Sequence, residues 1–353
     1  MSKIPVSVCM IAKNEERYLE GCLQKLLPYG FEIILVDTGS TDRTMEIAAK
    51  YTDKIYEFPW IDDFSAARNY SAKQASNDWI LALDCDEYIE SIDLENILEI
   101  ISLNEKIVGR FKIENLVSDG NGVGKSYHNV SRLYNKKYCL FEGLIHEQIV
   151  SINKEIMQYV SLPINIKHYG YNLTKEENLE KNNRYISLLL KAIERNPKEP
   201  YYYFQLGKSY AMLDDYEKVY QYLHTALQLE IRPNAGYLDL LLIEYGNAMI
   251  HTKRHELAMR LEMMQDRLSE YADYHLLMGK IYHMNNLPLK ALGSLVKATT
   301  CSKIINCGTN TYFPLNVMSI IYEQMGEKKM ADDCKKQAEK LVLQSLDNEE
   351  WKK

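Results

Sequence analysis

Asp84 and Asp86 are the residues whose types and spacing point most directly to chemistry. They stand two apart, immediately after the five apolar residues Trp79–Leu83. On an extended strand, residues two apart face the same side. Two carboxylates on one side suit Mn²⁺ or Mg²⁺, whose shells are commonly completed by water and by the phosphates of a substrate. The pair therefore predicts a site for a divalent cation and a phosphorylated ligand, with a solvated loop as the alternative interpretation.

Polar clusters also follow two earlier apolar segments. Residues 13–15 (Lys-Asn-Glu) follow Val6–Ala12, and residues 38–40 (Thr-Gly-Ser) follow Glu32–Asp37. Both segments are short enough to be strands and apolar enough to be buried on both faces. They therefore predict two strands that end in polar residues, as the Trp79 strand does.

Two helical segments, Glu16–Leu27 and Asp42–Tyr51, separate these strands. The alternation predicts right-handed βαβ units and a parallel sheet covered by helices on both faces. Ligands in such sheets bind beyond the carboxyl ends of the strands. We therefore expect Glu15, Asp37 and the Asp84–Asp86 pair to share one edge, where a nucleoside diphosphate and its metal would bind.

The second half of the sequence is helical and repetitive. The segment Tyr203–Tyr210 has the order Tyr-x-x-Leu-Gly-x-x-Tyr, and Ala226 follows sixteen residues later, as in a tetratricopeptide unit. Four such units are predicted between about residues 200 and 342. The predicted domains are therefore 1–172, a linker helix at 173–199, and helical repeats at 200–345. Stacked helix pairs form a concave surface for an extended peptide or a partner protein, and pairing of two copies into a homodimer is the alternative.

The composition excludes several classes of protein. Hydrophobic residues make up 46% and charged residues 26% of the 353 residues, so disordered, collagen-like and coiled-coil proteins are excluded. A net charge of −7 offers no basic face to a nucleic acid. The seven cysteines lack paired spacing, which argues against a disulfide framework or a zinc site. No apolar run reaches the length of a membrane span, so a cytoplasmic location without membrane association is expected.

Four segments carry a resemblance to a known family. In order, they are Val8–Glu15, Ile34–Asp42, Asp62–Asn69 and Leu83–Glu87. Together they resemble the successive motifs of family 2 glycosyltransferases, and the resemblance covers about residues 4–170. It implies an α/β N-terminal GT-A domain, Rossmann-like with a mostly parallel sheet, followed by an all-α tetratricopeptide-repeat domain. With its repeats, the whole sequence resembles the bacterial peptide glycosyltransferases of the glycocin (sublancin-type) group.

The resemblance implies roles at the donor side of the site. Ala12, Glu15 and Asp37 correspond to nucleotide contacts, with Asp37 accepting a hydrogen bond from the uracil N–H. Arg68 corresponds to a residue near the diphosphate, where a guanidinium can bond two phosphate oxygens at once. The alternative for Arg68 is a surface salt bridge with Asp62 or Asp63.

The resemblance also implies the metal ligands. Asp84 corresponds to a ribose contact or a water-mediated metal contact, and Asp86 to the metal ligand itself. His168 stands near the end of the domain, where some GT-A enzymes place a third ligand. An imidazole suits Mn²⁺ better than Mg²⁺, so Mn²⁺ is the favoured ion. A hydrogen-bonded structural histidine is the alternative for His168.

The acceptor side needs a general base, which a carboxylate or an imidazole can supply. Residues 141–148 (Phe-Glu-Gly-Leu-Ile-His-Glu-Gln) occupy the position where family members place an acidic base. Glu147 is the predicted base. The choice between Glu147, His146 and Glu142 stays open, and a surface turn between strands is the structural alternative. The glycine-rich stretch 120–126 lacks the spacing of a phosphate loop and is predicted to be a loop over the acceptor cleft.

The resulting prediction is an inverting, metal-dependent transferase. It would move a sugar from a UDP-sugar to a Cys or Ser/Thr side chain of a peptide or protein. A second hypothesis replaces the peptide with a saccharide or a lipid-linked acceptor, supported by the basic residues within 132–137 and at Lys253 and Arg254. A third is a repeat scaffold with an inactive N-terminal domain, against which the intact carboxylates argue.

Overall fold

A computed structural model describes residues 4–118, 123–170 and 175–347. The chain forms two compact units, Met1–Leu188 and Leu189–Lys353. The predicted domain boundary at 172 lies outside the described residues. A helix at Lys175–Arg195 occupies most of the predicted linker and contains the division between the two units.

The first unit is built on a mixed sheet. The strands in the described part of the chain are β1 (Val6–Ala12), β2 (Glu32–Asp37), β3 (Ile55–Glu57), β4 (Trp79–Ala82), β5 (Glu87–Ile92), β6 (Ile107–Ser118), β7 (Val123–Asn135), β8 (Cys139–Glu142), β9 (Gln148–Ser151) and β10 (Gln158–His168). Eight of them form one sheet in the order β3-β2-β1-β4-β7-β6-β10-β5, and β8 and β9 form a separate hairpin. Within the predicted loop 120–126, residues 120–122 lie outside the described residues and 123–126 begin β7.

The predicted parallel sheet is confirmed in the half of the sheet that carries the first motifs. β1 pairs in parallel with β2 and β4, β2 pairs in parallel with β3, and β6 pairs in parallel with β10. β7 runs antiparallel between β4 and β6, and β5 runs antiparallel to β10. In register, Ala12 pairs with Asp37, and Cys9 pairs with Ala82. The carboxyl ends of β1, β2 and β4 therefore meet at one edge, as expected.

The helices of the first unit are α1 (Leu19–Leu26), α2 (Thr44–Ala48), α3 (Phe64–Gln74) and α4 (Leu94–Leu103), and α5 (Lys175–Arg195) contains the division between the units. The first two are shorter than the predicted Glu16–Leu27 and Asp42–Tyr51. Residues 16–18 form a turn ahead of α1, and the backbone N–H groups of Glu15 and Glu16 donate to the side chains of Thr44 and Asp42. α2 ends early because the following residues form tighter hydrogen bonds three residues back, from Lys50 to Ile47.

Apolar side chains cover both faces of the sheet. On one face, residues of α1 such as Leu19 and Leu23 pack with Met10 and Leu35 of the strands. The other face is covered by residues from α3 and by the β8–β9 hairpin, including Ala72 and Phe141. This two-sided burial explains why β1, β2 and β4 are apolar along nearly their whole length.

The second unit consists of helix pairs. Its helices in the described residues are α6 (Pro200–Ala211), α7 (Tyr216–Gln228), α8 (Leu238–His251), α9 (His255–Ala258), α10 (Gln265–Leu268), α11 (Ala272–Met284), α12 (Pro288–Thr300), α13 (Tyr312–Gln324) and α14 (Lys328–Asp347). The pairs α6–α7, α11–α12 and α13–α14 are regular helix-turn-helix units. The second helix of the remaining pair, after α8, is broken into α9, a 3₁₀ segment at Met259–Met264, and α10.

Small residues let the paired helices approach closely, as the repeat pattern predicts. A Cβ atom at Gly207 would lie 2.6 Å from Cδ2 of Leu223, and one at Gly279 would lie 2.6 Å from Cδ2 of Leu295. Ala226 is fully buried. Across the described residues, no helix combines the length and apolar character needed to cross a membrane.

Candidate active site

Asp37 shapes the turn at the end of β2. Its buried carboxylate accepts hydrogen bonds from the backbone N–H groups of Gly39 and Ser40, both at 3.0 Å. The carbonyl of Ala12 accepts from the N–H and from the hydroxyl of Thr38, at 2.9 and 3.0 Å. These bonds join the ends of β1 and β2 into one rigid corner. The predicted nucleotide contacts of Ala12 and Asp37 stay predictions, and both residues lie at this corner.

The loop after β1 is tied to the loop after β2. Asn14, in the left-handed backbone region at φ 58°, accepts from the N–H of Thr41 at 2.8 Å, and its own N–H donates to Ser40. The N–H of Glu15 donates to the Thr44 hydroxyl at 2.7 Å. Both loops therefore hold one another in place at the edge where the ligand is expected.

Glu15 lies close to the aspartate pair, as predicted. Burial is the largest cause, the nearby charges of Asp86 and Asp84 act in the same direction, and together they raise its pKa to about 8. The edge of the sheet therefore brings three carboxyl groups together, and this favours the protonated form of Glu15 at neutral pH. Such a cluster of carboxyl groups is a setting in which a cation would bind.

Asp84 is held between two guanidinium groups. Arg68 of α3 donates from Nη2 to Oδ1 at 2.7 Å, and Arg132 of β7 donates from Nη2 to Oδ2 at 2.6 Å. Burial alone would raise the pKa of Asp84, but the two guanidinium groups outweigh it and hold that pKa well below its usual range. Asp84 is therefore a fixed carboxylate whose two oxygen atoms both have partners within the protein.

Arg68 connects Asp84 to the predicted base. Its Nε atom donates to Oε1 of Glu147 at 2.5 Å, and its side chain is 7% exposed. The guanidinium also lies over the ring of Phe141, 5.4 Å from the ring centre. The alternative of a surface salt bridge for Arg68 does not fit this buried position.

Glu87 completes the arrangement. Its Oε1 accepts from Arg132 at 3.1 Å, and its Oε2 accepts from the backbone N–H of Asp84 at 3.0 Å. The side chain is 3% exposed. We refer to Glu147, Arg68, Asp84, Arg132 and Glu87 as the charged network. It contains three carboxylates and two guanidinium groups in alternation.

Asp86 and His168 form a second pair at the same edge. Oδ2 of Asp86 lies 3.1 Å from Nε2 of His168, and the N–H of Tyr169 donates to the Asp86 carbonyl at 3.0 Å. Burial lowers the pKa of His168, but its hydrogen bond to Asp86 and the nearby carboxylates outweigh burial and raise it. A methyl group at Gly170 would overlap Asp86 Oδ2 and lie 2.8 Å from His168 Nε2. Glycine at 170 therefore leaves room for this pair.

The donor chemistry of this pair fits a divalent cation. One carboxylate and one imidazole are brought together, as predicted, and Asp86 Oδ2 occupies the space that a side chain at residue 170 would fill. Within the described residues, no group of three or more His, Cys, Asp or Glu side chains is placed to hold a metal. A cation at Asp86 and His168 would therefore need further oxygen ligands from water or from a bound diphosphate.

The predicted base lies in the turn of the β8–β9 hairpin. Glu142 pairs in register with Gln148, so residues 143–147 form the turn. This turn is anchored and not free in solvent, because the carbonyl of Leu144 accepts from the N–H of Phe64 at 2.9 Å. Leu144 itself is buried, and Glu147 is 10% exposed. The structural alternative, a turn between strands, is correct as a description of the backbone.

The three candidate bases occupy different environments. Glu147 faces Arg68 in the charged network. His146 has a positive φ of 52°, and its ring meets the ring of Tyr185 edge to face at 5.8 Å. Glu142 is exposed at the end of β8. Glu147 is hydrogen-bonded to Arg68, which also contacts Asp84 of the aspartate pair.

The part that Arg132 takes in the site was not predicted. The lipid-linked hypothesis places Arg132 with Lys136 and Lys137 in a basic surface cluster. In the structure Arg132 is 14% exposed and pairs with acidic residues of the site. Lys136 donates to carbonyls at the end of α3, and Lys137 pairs with Asp78 at 2.6 Å. The missed signal was the apolar Leu133-Tyr134 after Arg132, which indicates a buried strand.

Comparisons with known proteins find a family match and several relatives. Residues 7–177 match the family described as Glycosyl transferase family 2. The chain is 30% identical over 207 residues to an uncharacterized glycosyltransferase of Rickettsia bellii, covering 55% of this chain and 69% of that protein. It is 29% identical over 278 residues to a TPR repeat-containing protein of Synechococcus elongatus, covering 76% of this chain and 67% of that one.

A third relative is the SPbeta prophage-derived glycosyltransferase SunS of Bacillus subtilis. The two are 26% identical over 232 residues, which is 64% of this chain and 54% of SunS. The chain thus spans about half the length of that relative. The family match covers Asp37 on β2, Arg68 on α3, Asp84 after β4 and Glu147 in the β8–β9 turn. This chain belongs to the family 2 glycosyltransferases and joins its catalytic domain to tetratricopeptide-like repeats.

Proposed function

We propose that the protein transfers a sugar from a UDP-sugar to a Cys or Ser/Thr side chain of a peptide or protein, with inversion at the sugar. The observation that carries this proposal is the double role of Arg68. One guanidinium binds the predicted base, Glu147, and the predicted donor-side carboxylate, Asp84. A single side chain would therefore contact both the donor side and the acceptor side of the site.

The donor would occupy the edge formed by the ends of β1, β2 and β4. Its uridine would lie at the corner made by Ala12 and Asp37, and its diphosphate would point towards Asp86 and His168. These two residues would hold Mn²⁺, or less favourably Mg²⁺. When bound, the cation supplies positive charge that stabilises the departing diphosphate. Arg68 would bond the same phosphates through its planar fork.

Transfer would be a single displacement. The acceptor heteroatom forms a bond to the anomeric carbon, the bond to UDP breaks, and Glu147 takes the acceptor proton. Such a step needs no nucleophile from the protein. Cys85, the thiol between the two aspartates, is 3% exposed, and burial raises its pKa well above the usual value. This supports direct displacement over a covalent enzyme intermediate.

A peptide acceptor is supported over a membrane-bound one. Four of the five basic residues behind the lipid-linked alternative have partners within the protein: Arg132 in the charged network, Lys136 at the Ala75 carbonyl, Lys137 at Asp78, and Arg254 in a paired hydrogen bond with Glu217 at 3.0 Å. The helix pairs of the second unit are of the kind that bind extended peptides. The alternative role of the repeats is to pair two copies of the chain. Light scattering of the purified chain distinguishes a homodimer from a monomer.

The test is a transfer assay read by mass spectrometry. The full chain is incubated with Mn²⁺, a mixture of UDP-sugars and a peptide library containing Cys, Ser and Thr. The proposal predicts a mass gain of one sugar on some peptides with wild type and at least a hundredfold less with Glu147→Gln. Transfer to lipid or oligosaccharide acceptors but to no peptide would contradict the acceptor assignment.

A further inference from the structure

Arg132 and its partner Glu87 are the members of the charged network to which the proposed function gives no role. It stands on β7, the antiparallel strand next to β4, where Leu133 pairs with Leu81. Arg132 therefore lies beside the carboxyl end of β4, from which Asp84 follows. The strand brings a guanidinium to the donor edge from outside the parallel part of the sheet.

The contacts of Arg132 close a ring around Asp84. Its Nη2 atom donates both to Asp84 Oδ2 at 2.6 Å and to Glu87 Oε1 at 3.1 Å. The other oxygen of Glu87 accepts the backbone N–H of Asp84 at 3.0 Å. Asp84 is thus held at its side chain and at its backbone by two partners that also hold each other. Such a ring fixes the orientation of the carboxylate and of the backbone that leads to Asp86.

The charges and contacts of the network give Arg132 a different role from that of Arg68. The charged network carries three negative and two positive charges in its fully ionised form. Arg68 divides its hydrogen bonds between Asp84 and Glu147, and its Nη1 atom is buried with no hydrogen-bond partner in the described structure. If Arg68 turns towards a bound diphosphate and releases Asp84, Arg132 is the guanidinium that still holds Asp84.

We propose that Arg132 is a positioning residue of the donor site, which holds Asp84 and the segment leading to Asp86 in place while Arg68 engages the diphosphate. This inference rests on the proposed function, because it takes the edge at Asp86 as the donor site. It assigns to Arg132 no contact with substrate. Its effect on donor binding passes through Asp84.

A set of four variants of the full chain tests this role. Mn²⁺-dependent binding of UDP is measured by calorimetry, and thermal unfolding is measured in parallel. Arg132→Met removes the guanidinium, and Arg132→Lys keeps a cation there. The double variant Arg132→Met with Glu87→Gln removes the charge of Glu87 as well, so that no uncompensated carboxylate remains at Glu87. Arg110→Met, on the neighbouring strand β6, is the matched control.

The positioning role predicts a specific pattern. Arg132→Met weakens Mn²⁺-dependent UDP binding at least tenfold, Arg132→Lys stays within about threefold of wild type, and Arg110→Met binds as wild type does. The double variant recovers much of any thermal stability that Arg132→Met loses. It still binds UDP at least tenfold more weakly than wild type does, because Asp84 Oδ2 has not regained its partner.

Two other results would overturn the inference in distinguishable ways. If the double variant binds UDP as tightly as wild type, Arg132 serves only to neutralise Glu87 and has no positioning role. If wild type itself shows no Mn²⁺-dependent UDP binding, the proposed function fails, and the inference fails with it.

Discussion

The Nε atom of Arg68 lies 2.5 Å from Oε1 of Glu147, across 79 positions of sequence. The helix α3 supplies one residue and the β8–β9 turn the other, and the backbone bond from Phe64 to Leu144 joins these two elements directly. The predicted base and the predicted phosphate ligand are therefore fixed relative to each other by both side chain and backbone.

We expect Arg68 to need the planar geometry of its guanidinium group and not only its positive charge. A lysine side chain carries its charge on a single ammonium group. It cannot form the separate hydrogen bonds that Nε and Nη2 of Arg68 donate to two carboxylates. Arg68→Lys should lower kcat/KM for transfer by roughly a hundredfold. The control is Arg254→Lys, which alters a paired guanidinium–carboxylate contact in the repeat unit. Equal losses in both variants would show that the effect is not specific to the site.

Glu147 should act on the acceptor and not on the donor. Glu147→Gln keeps a similar shape but cannot take a proton, so kcat should fall by about 10²- to 10⁴-fold while Mn²⁺-dependent UDP binding changes little. Glu142→Gln and His146→Gln, which change the other two candidates, should each keep kcat within about threefold. Steady-state transfer kinetics separate these outcomes. A loss confined to His146→Gln would move the base to the imidazole.

Gly170 should be required by the Asp86–His168 pair. Gly170→Ala places a methyl group where Asp86 Oδ2 lies, so one of the two side chains must move. Mn²⁺-dependent UDP binding should weaken by about tenfold or more, roughly 1.4 kcal/mol. Gly293→Ala, where an added Cβ meets nothing within 4 Å, is the control. Unchanged Mn²⁺-dependent binding in Gly170→Ala would remove Asp86 and His168 as the cation site.

Glu32 should make the fold sensitive to acid. Burial would raise its pKa, but hydrogen bonds from Lys54, Ser7 and Ser76 outweigh burial and lower it from 4.5 to about 2. Because the folded-state value is depressed, the stabilisation is complete above about pH 4.5 and is lost as the pH falls from there towards 2. A shift of this size corresponds to at most about 3.4 kcal/mol.

The measurement is urea unfolding of Glu32→Gln and wild type between pH 3 and 7. The variant should be less stable at pH 7, and the difference should shrink below about pH 4.5. Glu90→Gln, which removes a surface pair with Lys25 at 3.3 Å, should change the free energy of unfolding by less than about 1 kcal/mol. A difference for Glu32→Gln that stays constant with pH would contradict the account.

Much of the parallel half of the sheet could be predicted from the sequence. The strands β1 and β2 have the predicted bounds, because both faces of the sheet are buried and their residues are nearly all apolar. The meeting of Asp37 with the ends of β1 and β4 follows from parallel pairing alone. The start of α1 was less predictable, because the turn before it is held by N–H groups of Glu15 and Glu16 that donate to Thr44 and Asp42, far along the sequence.

The contribution of Arg132 and Glu87 could not be predicted in the same way. β7 enters the sheet between β4 and β6 by antiparallel pairing, which no local pattern near residue 132 specifies. A basic residue near two lysines also resembles an exposed cluster. The contacts of Arg132 depend on long-range topology, so the structure was needed to place it beside Asp84.

The most direct test of the account is UDP binding by calorimetry, with and without Mn²⁺, for wild type and Asp86→Asn. Asparagine keeps the size of the side chain but removes the charge that a cation needs. We expect binding by wild type that depends on Mn²⁺ and is weakened at least tenfold in Asp86→Asn, with unchanged thermal stability. Binding that is equal in the two proteins, or independent of Mn²⁺, would contradict a cation-assisted donor site at Asp86.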